Sequence, residues 1–382
     1  MQTMSPAQWV MTFILRPLGQ LLLFIVGSAV LLTVISYIIA LLIPFPNPEA
    51  ALRPNAIALA DFLSARLAPI IVGGIVIGFV YAMIALGYTL VYGVLKFINF
   101  AHSEIFMVGA VVGFEVIKSI EASGTLAEWN PIPLVILMAS AGMLVSGLLA
   151  VVIERVAYRP LRGAPRLVPL ISAIGVSLFL IDAVRAIMAI TRGDFNLIYP
   201  LNGLPWTDSI KIQLPEAALT VRPTQIIVVV AAILMLLFLN YFVNGTKLGR
   251  GIRAVSQDAT TAGLMGIDAN RMISLTFFVG GALGGVAGVL FALNTGKAEP
   301  TMGFAPGIVA FTAAVLGGIG SVPGALLGGL ALGMVRSFLD FMLSFFPMFG
   351  SRYTDIFTFA ILILILIFRP SGILGERVDE KV

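Results

Sequence analysis

Between Gly87 and Gly113 a long apolar run carries Lys96, Asn99, His102 and Glu104 in mid-course. Such residues can hydrogen-bond a polar solute where lipid-grade sequence offers nothing. In hydrocarbon every backbone donor and acceptor needs an internal partner, so an interruption survives only where protein or a water-filled cavity covers it. A covered, polar interruption is where a solute would pass. Asn99 and His102 offer side-chain hydrogen bonds, and backbone groups around Phe100 and Ala101 can meet the amine or carboxylate of a zwitterion. Ser103 follows, and Glu104 fits either the path or a cap on the next half-helix, where a carboxylate favours the positive end of the dipole. His102 reads as a structural histidine bonded to the broken backbone or as a direct solute contact. A second interruption, Gly317 and Gly318 with Gly320, Ser321 and Pro323, lies in the other half of the chain. Paired interruptions point to a translocation site.

Other chemistry is excluded residue by residue. One histidine rules out HExxH and multi-histidine metal sites, and no G-x-x-x-x-G-K-[ST] phosphate loop is present. No GxSxG elbow and no carboxylate pair at readable spacing occur, and zero cysteines remove thiolate chemistry and disulfides. No cofactor is expected on this chain, which reads as a non-enzyme.

These residues must be carried by membrane helices. Hydrophobic residues make up 59% of the 382 and charged ones 11%, against roughly 25% charged in an ordinary globular domain. A net charge of +4, scattered among apolar runs, gives no footprint for nucleic acid. At about 20 apolar residues per span, the expected spans are Leu21 to Ile43, Leu67 to Leu95, Pro133 to Ile153, Leu167 to Ile190, Ile226 to Val243, Met272 to Leu293 and Tyr353 to Phe368. Ile105 to Ile117 reads as half of a discontinuous helix. The run Met302 to Val335 divides at its glycines and Pro323 into two spans, the second ending near Phe346. The expected fold is an all-α polytopic membrane protein with about ten transmembrane helices, discontinuous near the pathway. Asp182 and Arg185, at i, i+3, are expected to pair on a face turned to the bundle.

Lys and Arg near the span ends set the orientation. With both termini cytoplasmic, the inside loops hold Arg155, Arg159, Arg162 and Arg166, then Lys247, Arg250, Arg253 and Arg271, then Arg369, Arg377 and Lys381 at the tail. Thr191 to Thr224 becomes the longest outward loop, a docking surface or cap. Leu21 to Ile43 is too long for a signal h-region and has no convincing cleavage site, so it reads as a retained helix. Residues 1–66 form an N-terminal extension with that extra helix and an external linker; residues 67–382 form the main domain. Glycines at four-residue spacing, Gly280, Gly284 and Gly288 above all, permit close helix approach, within the chain or against a second membrane subunit.

Five blocks in order carry a family resemblance: IALGYTLVYGVLKFINFAHSEIFMVGA, ERVAYRPLRGAPRLVPLISAIGVSLFL, GRGIRAVSQDATTAGLMGIDANRMISLTFFVGGALGGVAGVL, FTAAVLGGIGSVPGALLGGLALG and RPSGILG. From Leu67 to Val382 the chain resembles the membrane permease subunits of ATP-binding-cassette importers for branched-chain amino acids. It departs in the first 66 residues and at Ser103, where the family usually has glycine. The resemblance implies half of a translocation path in a bacterial inner membrane. The implied partners are a second homologous permease subunit, two ABC ATPase subunits, an external solute-binding protein and membrane lipid. ATP hydrolysis would sit on the separate subunits. The implied cargo is leucine, isoleucine or valine, with urea or short amides as an alternative, and a self-contained secondary transporter or channel as the rival class.

The resemblance also places an ATPase coupling loop at Ala254 to Ile267. The residues suit a short helix: Ser256 or Asp258 as N-cap, small and apolar side chains from Ala259 to Leu264, including Ala262 and Gly263, and Gly266 to end it.

Overall fold

The computed structural model describes residues 56–165, 167–201, 204, 210–213, 218–318, 320–344 and 353–368, with scattered positions between 11 and 34. Most of the expected Leu21 to Ile43 span, Arg166 and the basic tail lie outside the described residues. The helices are α1 (Ala56–Leu95), α2 (His102–Ala122), α3 (Pro131–Ile153), α4 (Leu167–Thr191), α5 (Pro223–Gly245), α6 (Lys247–Gln257), α7 (Ala259–Leu264), α8 (Ala269–Thr295), α9 (Phe304–Gly317), α10 (Val322–Ser344) and α11 (Thr354–Phe368). Four short strands pair as two antiparallel ribbons, β1 (Leu197–Ile198) with β4 (Lys297–Ala298) and β2 (Ile210–Gln213) with β3 (Ala218–Val221).

Among the described residues six helices are long and apolar enough to cross a bilayer: α1 from Leu67, α3 with its extension to Leu161, α4, α5, α8 and α10 to Leu343. The chain is an all-α polytopic membrane protein. The expectation of about ten spans is not reached among these residues, for physical reasons. α2 is a continuous 21-residue helix rather than the short Ile105 to Ile117 half, but it carries Glu104, Glu115, Lys118 and Glu121. The run Met302 to Val335 divides as expected, yet α9 has 14 residues and α11 has 15. At 1.5 Å per residue, 14 residues reach about 21 Å, short of the roughly 30 Å hydrocarbon core.

α1 and α8 form the middle of the bundle, with 78% of the α8 span window buried against 17% of that of α4. Glycine builds the centre. A Cβ on Gly109 would lie 2.3 Å from the Gly285 carbonyl oxygen, one on Gly288 would lie 2.0 Å from that of Phe106, and one on Gly329 would strike the Ala82 backbone at 2.5 Å. The four-residue glycine ladders therefore pack helices of this chain against one another. α10 runs antiparallel to α1, with Gly329 beside Ala82 and Gly333 beside Gly78.

The Arg185 and Asp182 side chains pair at 2.9 Å, but at 46% and 71% exposure they point away from the bundle, contrary to expectation. The spacing dictated the pair and left its face open.

Not every rung of the α8 ladder is equally filled. A Cβ on Gly284 would stand 3.4 Å from the His102 ring, an ordinary contact. Gly288→Ala is expected to lower stability by about 1–3 kcal/mol through overpacking, while Gly284→Ala is neutral or gains up to about 1 kcal/mol of helix propensity. Thermal unfolding of the two variants in detergent measures the difference.

Candidate functional site

The interruption after α1 is built by identifiable groups. Lys96, at φ 56°, is the one non-glycine residue with positive φ among the described residues, and its N–H closes on the Tyr92 carbonyl at 2.8 Å. A left-handed residue there ends α1 at a cost of about 1–2 kcal/mol. The chain then turns on Asn99, whose Oδ1 accepts from the Ala101 N–H at 3.1 Å and from the Tyr158 hydroxyl at 2.6 Å. The His102 N–H bonds the Asn99 carbonyl at 3.1 Å, and the Ser103 hydroxyl donates to the Phe100 carbonyl at 2.9 Å. Local side chains thus take up the backbone groups that the break releases.

This turn lies in mid-membrane. His102 stacks edge-on against Tyr88 of α1 at 4.8 Å and faces Gly284, near the middle of 27-residue α8. From there α2 runs toward the β1–β4 end, where the Tyr199 hydroxyl donates to the Ala110 carbonyl at 2.6 Å. α9 starts at the same level. A Cβ on Gly303, its N-cap, would lie 2.4 Å from the Ser103 carbonyl oxygen, and one on Gly307 would lie 2.2 Å from the Ser103 Cβ. α9 then runs the opposite way, toward the α6–α7 end. The 21-residue α2 and the 14-residue α9 therefore meet N-terminus to N-terminus inside the bundle.

Glu104 sits at that meeting point, fully buried. Its Oε1 accepts from the Ser103 and Ser177 hydroxyls, each at 3.2 Å, while Oε2, next to Gly303, has no protein partner. Each helix N-terminus carries roughly half a positive charge, so two of them offset the penalty of burying a carboxylate. His102 Nε2 and Asn99 Nδ2 are also buried without partners. Beside them a space of about 10 Å³, bounded by Tyr88, Tyr92, Asn99 and Phe311, has room for about one water.

The structure brings Asn99, Phe100, Ala101, His102, Ser103 and Glu104 together. It does not bring Gly317, Gly318 and Ser321 to them, because these residues form the turn at the opposite end of α9, where Gly317 packs on the Gly324 carbonyl. The partner of the first interruption is instead Gly303 and Gly307, where α9 begins. Sequence reasoning passed over Gly303, Gly307, Ser177 and Tyr158. Gly307 leaves the room that the Ser103 side chain occupies.

At the α6–α7 end Asp258 is the N-cap of α7, its Oδ1 accepting from the Thr260 and Thr261 N–H groups at 2.8 and 3.1 Å. The hydrogen bonds from Thr261 and Thr260 hold its carboxyl below the usual range. Ser256 instead bonds the Arg253 carbonyl inside α6, and Gly266, at φ +81°, ends the segment as expected. Ala262 points inward, at 5% exposure, into an apolar cluster with Ile252, Val255, Met272 and Ile273. Gly263 faces open space, and Leu264 and Met265 are 84% and 79% exposed.

That cluster reaches the break. It continues through Ile153, Phe277 and Tyr158 to Phe97 and Phe100. Tyr158 closes a five-residue π turn, Glu154–Tyr158, an element common at functional sites. Buried Glu154 fixes that turn: it pairs with Arg159 and Arg162 and accepts from the Ser274 hydroxyl at 2.6 Å, while Arg162 also reaches Asn270 at 2.6 Å.

Comparison with known proteins adds the family. A profile described as the permease component of branched-chain amino acid transport systems matches residues 70–366. The chain is 42% identical, over 82% of its length and 97% of the relative, to the high-affinity branched-chain amino acid transport system permease protein BraD of Pseudomonas aeruginosa. It is 40% identical, over 81% and 96%, to the corresponding protein LivH of Escherichia coli. A probable branched-chain amino acid transport permease of Methanocaldococcus jannaschii is 27% identical over 82% and 93%.

The Tyr158 hydroxyl separates stability from transmission. Tyr158→Phe and Tyr199→Phe each remove one buried hydrogen bond and are each expected to lose about 1 kcal/mol of stability. Only Tyr158→Phe should also depress solute uptake by the assembled complex. Thermal unfolding alongside uptake in proteoliposomes measures both.

Proposed function

We infer the function from one settled premise: the chain belongs to the family of permease components of branched-chain amino acid transport systems. It is a membrane permease subunit of an ATP-binding-cassette importer and not itself an enzyme. Our proposal is that it forms half of the path for leucine, isoleucine, valine or other neutral amino acids, in a bacterial inner membrane with both termini cytoplasmic. The observation that carries this reading is the meeting of α2 and α9 at buried Glu104. A self-contained transporter has no need of the exposed apolar pair Leu264 and Met265 at the C-terminal end of α7.

The proposed complex holds a second permease subunit, two ATPases and an external binding protein. The α4 surface supports the second subunit. Asp182 and Arg185 stand exposed along its length, among exposed Ile171, Leu178 and Phe179. A charged side chain at mid-bilayer costs about 2.5–3.5 kcal/mol even on the gentler scales, so this face calls for protein rather than lipid. The coupling turn supports the ATPase. Gly263, Leu264 and Met265 are free to enter a groove, whereas Ala262 is committed to this chain's own core.

Docking is therefore tested at the exposed positions. Gly263→Arg and Leu264→Asp should abolish recovery of the ATPase with this subunit and ATP-driven leucine uptake, while membrane insertion and thermal stability stay at the parent level. Ala262→Glu should instead destabilise the chain itself, by burying an unpaired charge. Full ATPase association and uptake in both exposed-site variants would reject the coupling assignment and favour a self-contained transporter.

A further inference from the structure

A crevice of about 450 Å³ opens between α2 and α4 on the β1–β4 side of Glu104, within the size range of small-molecule sites. Its walls are aliphatic: Val108, Val111 and Val112 from α2, with Val184, Ile187 and Met188 from α4. Its ends are polar. At the mouth, Arg192 grips Glu115 through two bonds, Nε to Oε1 at 3.1 Å and Nη2 to Oε2 at 2.5 Å, and its guanidinium lies 5.0 Å from the centre of the Phe114 ring.

The lining follows from helix periodicity. Glu104, Val108, Val111, Val112 and Glu115 are spaced at i, i+4, i+7, i+8 and i+11 and share one stripe of α2. Ser177, Val184, Met188 and Thr191 do the same on α4. Each stripe begins at the 3.2 Å hydrogen bond between Ser177 and Glu104, which ties the two helices together beyond the inner end of the crevice. Asp182 lies about 140° around α4 from Ser177 at 3.6 residues per turn. The face proposed for the second subunit is thus a different one.

We propose that this crevice is a binding site for a neutral amino acid with a branched aliphatic side chain. Its apolar walls take the side chain, and the opened Glu115–Arg192 pair takes the ammonium and carboxylate. The inference rests on the reading that the chain passes neutral amino acids, and adds where they pause. Charge complementarity selects this occupant. Glu115 and Arg192 match the two charges of a zwitterion, whose ammonium and carboxylate replace each partner of the pair with a group of the same charge. A lipid acyl chain would fit the walls but offers nothing to the charged mouth.

Because the chain has no cysteine, Val184→Cys places a single thiol on this subunit in the crevice of the assembled complex. A water-soluble methanethiosulfonate reagent is expected to modify it, and leucine at ten times its dissociation constant to slow that reaction about tenfold. Val111→Trp, which fills the space, should lower uptake efficiency for leucine by about tenfold or more and for alanine much less, the discrimination a sized apolar pocket gives. Uptake of leucine by the Val184→Cys complex with no protection of the thiol overturns the crevice and leaves the permease reading standing. A thiol that reacts only with a lipid-soluble maleimide makes the crevice a lipid groove and overturns it as well. No uptake of any neutral amino acid by the unmodified complex, with no protection, overturns both readings. Equal losses for leucine and alanine in Val111→Trp also count against the site.

Discussion

Hydrocarbon supplies no hydrogen bonds, and the architecture around this chain's centre follows from that. Ending α1 at Lys96 and starting α2 at His102 frees backbone groups inside the bilayer, and each must be met by protein. Asn99 and Ser103 meet backbone groups there, and the Tyr158 hydroxyl holds the Asn99 side chain in place. The same constraint explains the glycines, since only bare backbone lets α8, α9 and α10 close over the interruption without leaving voids. It also explains Glu104. A carboxylate in this position is tolerable because two helix N-termini converge on it and two serine hydroxyls hold one of its oxygens.

One set of contacts joins this centre to the aqueous side. α7 is fixed to the bundle by Ala262, α6 and α8 carry the apolar cluster onward, and Tyr158 ends it with a hydrogen bond to the residue on which the break turns. The π turn between Glu154 and Tyr158 is held by a carboxylate that also binds Arg159, Arg162 and Ser274. α7 and Asn99 are thus joined through packed side chains and one hydrogen bond. Two surfaces of α4 complete the picture: one faces the crevice beside α2, and the other presents the exposed Asp182–Arg185 pair.

Much of this was legible in the sequence where local chemistry decides. The polar residues of the first interruption, the split at Gly317 to Pro323 and the Asp258 cap with Gly266 at its end are all local signals. What sequence reading missed depends on where helices land. Gly317, Gly318 and Ser321 do mark a break, but only the direction of α9 shows that it belongs to the other end of that helix. Ala262 and Gly263 are adjacent and equally small, and only packing turns one inward and leaves the other open. The Asp182–Arg185 spacing predicts an ion pair without its orientation, which depends on how little of α4 the rest of the chain covers.

In the function we propose, the interruption at Asn99 to Glu104 lies on the path and opens under ATPase control. Ala101, fully buried at the turn, offers the direct measurement: the reaction rate of an Ala101→Cys thiol with a small water-soluble reagent, in the assembled complex at rest and with ATP trapped by vanadate. Slow modification is expected at rest and a clear acceleration in the trapped state, with the acceleration abolished by Leu264→Asp. The same slow rate in both states, in a complex that still imports leucine, would contradict it.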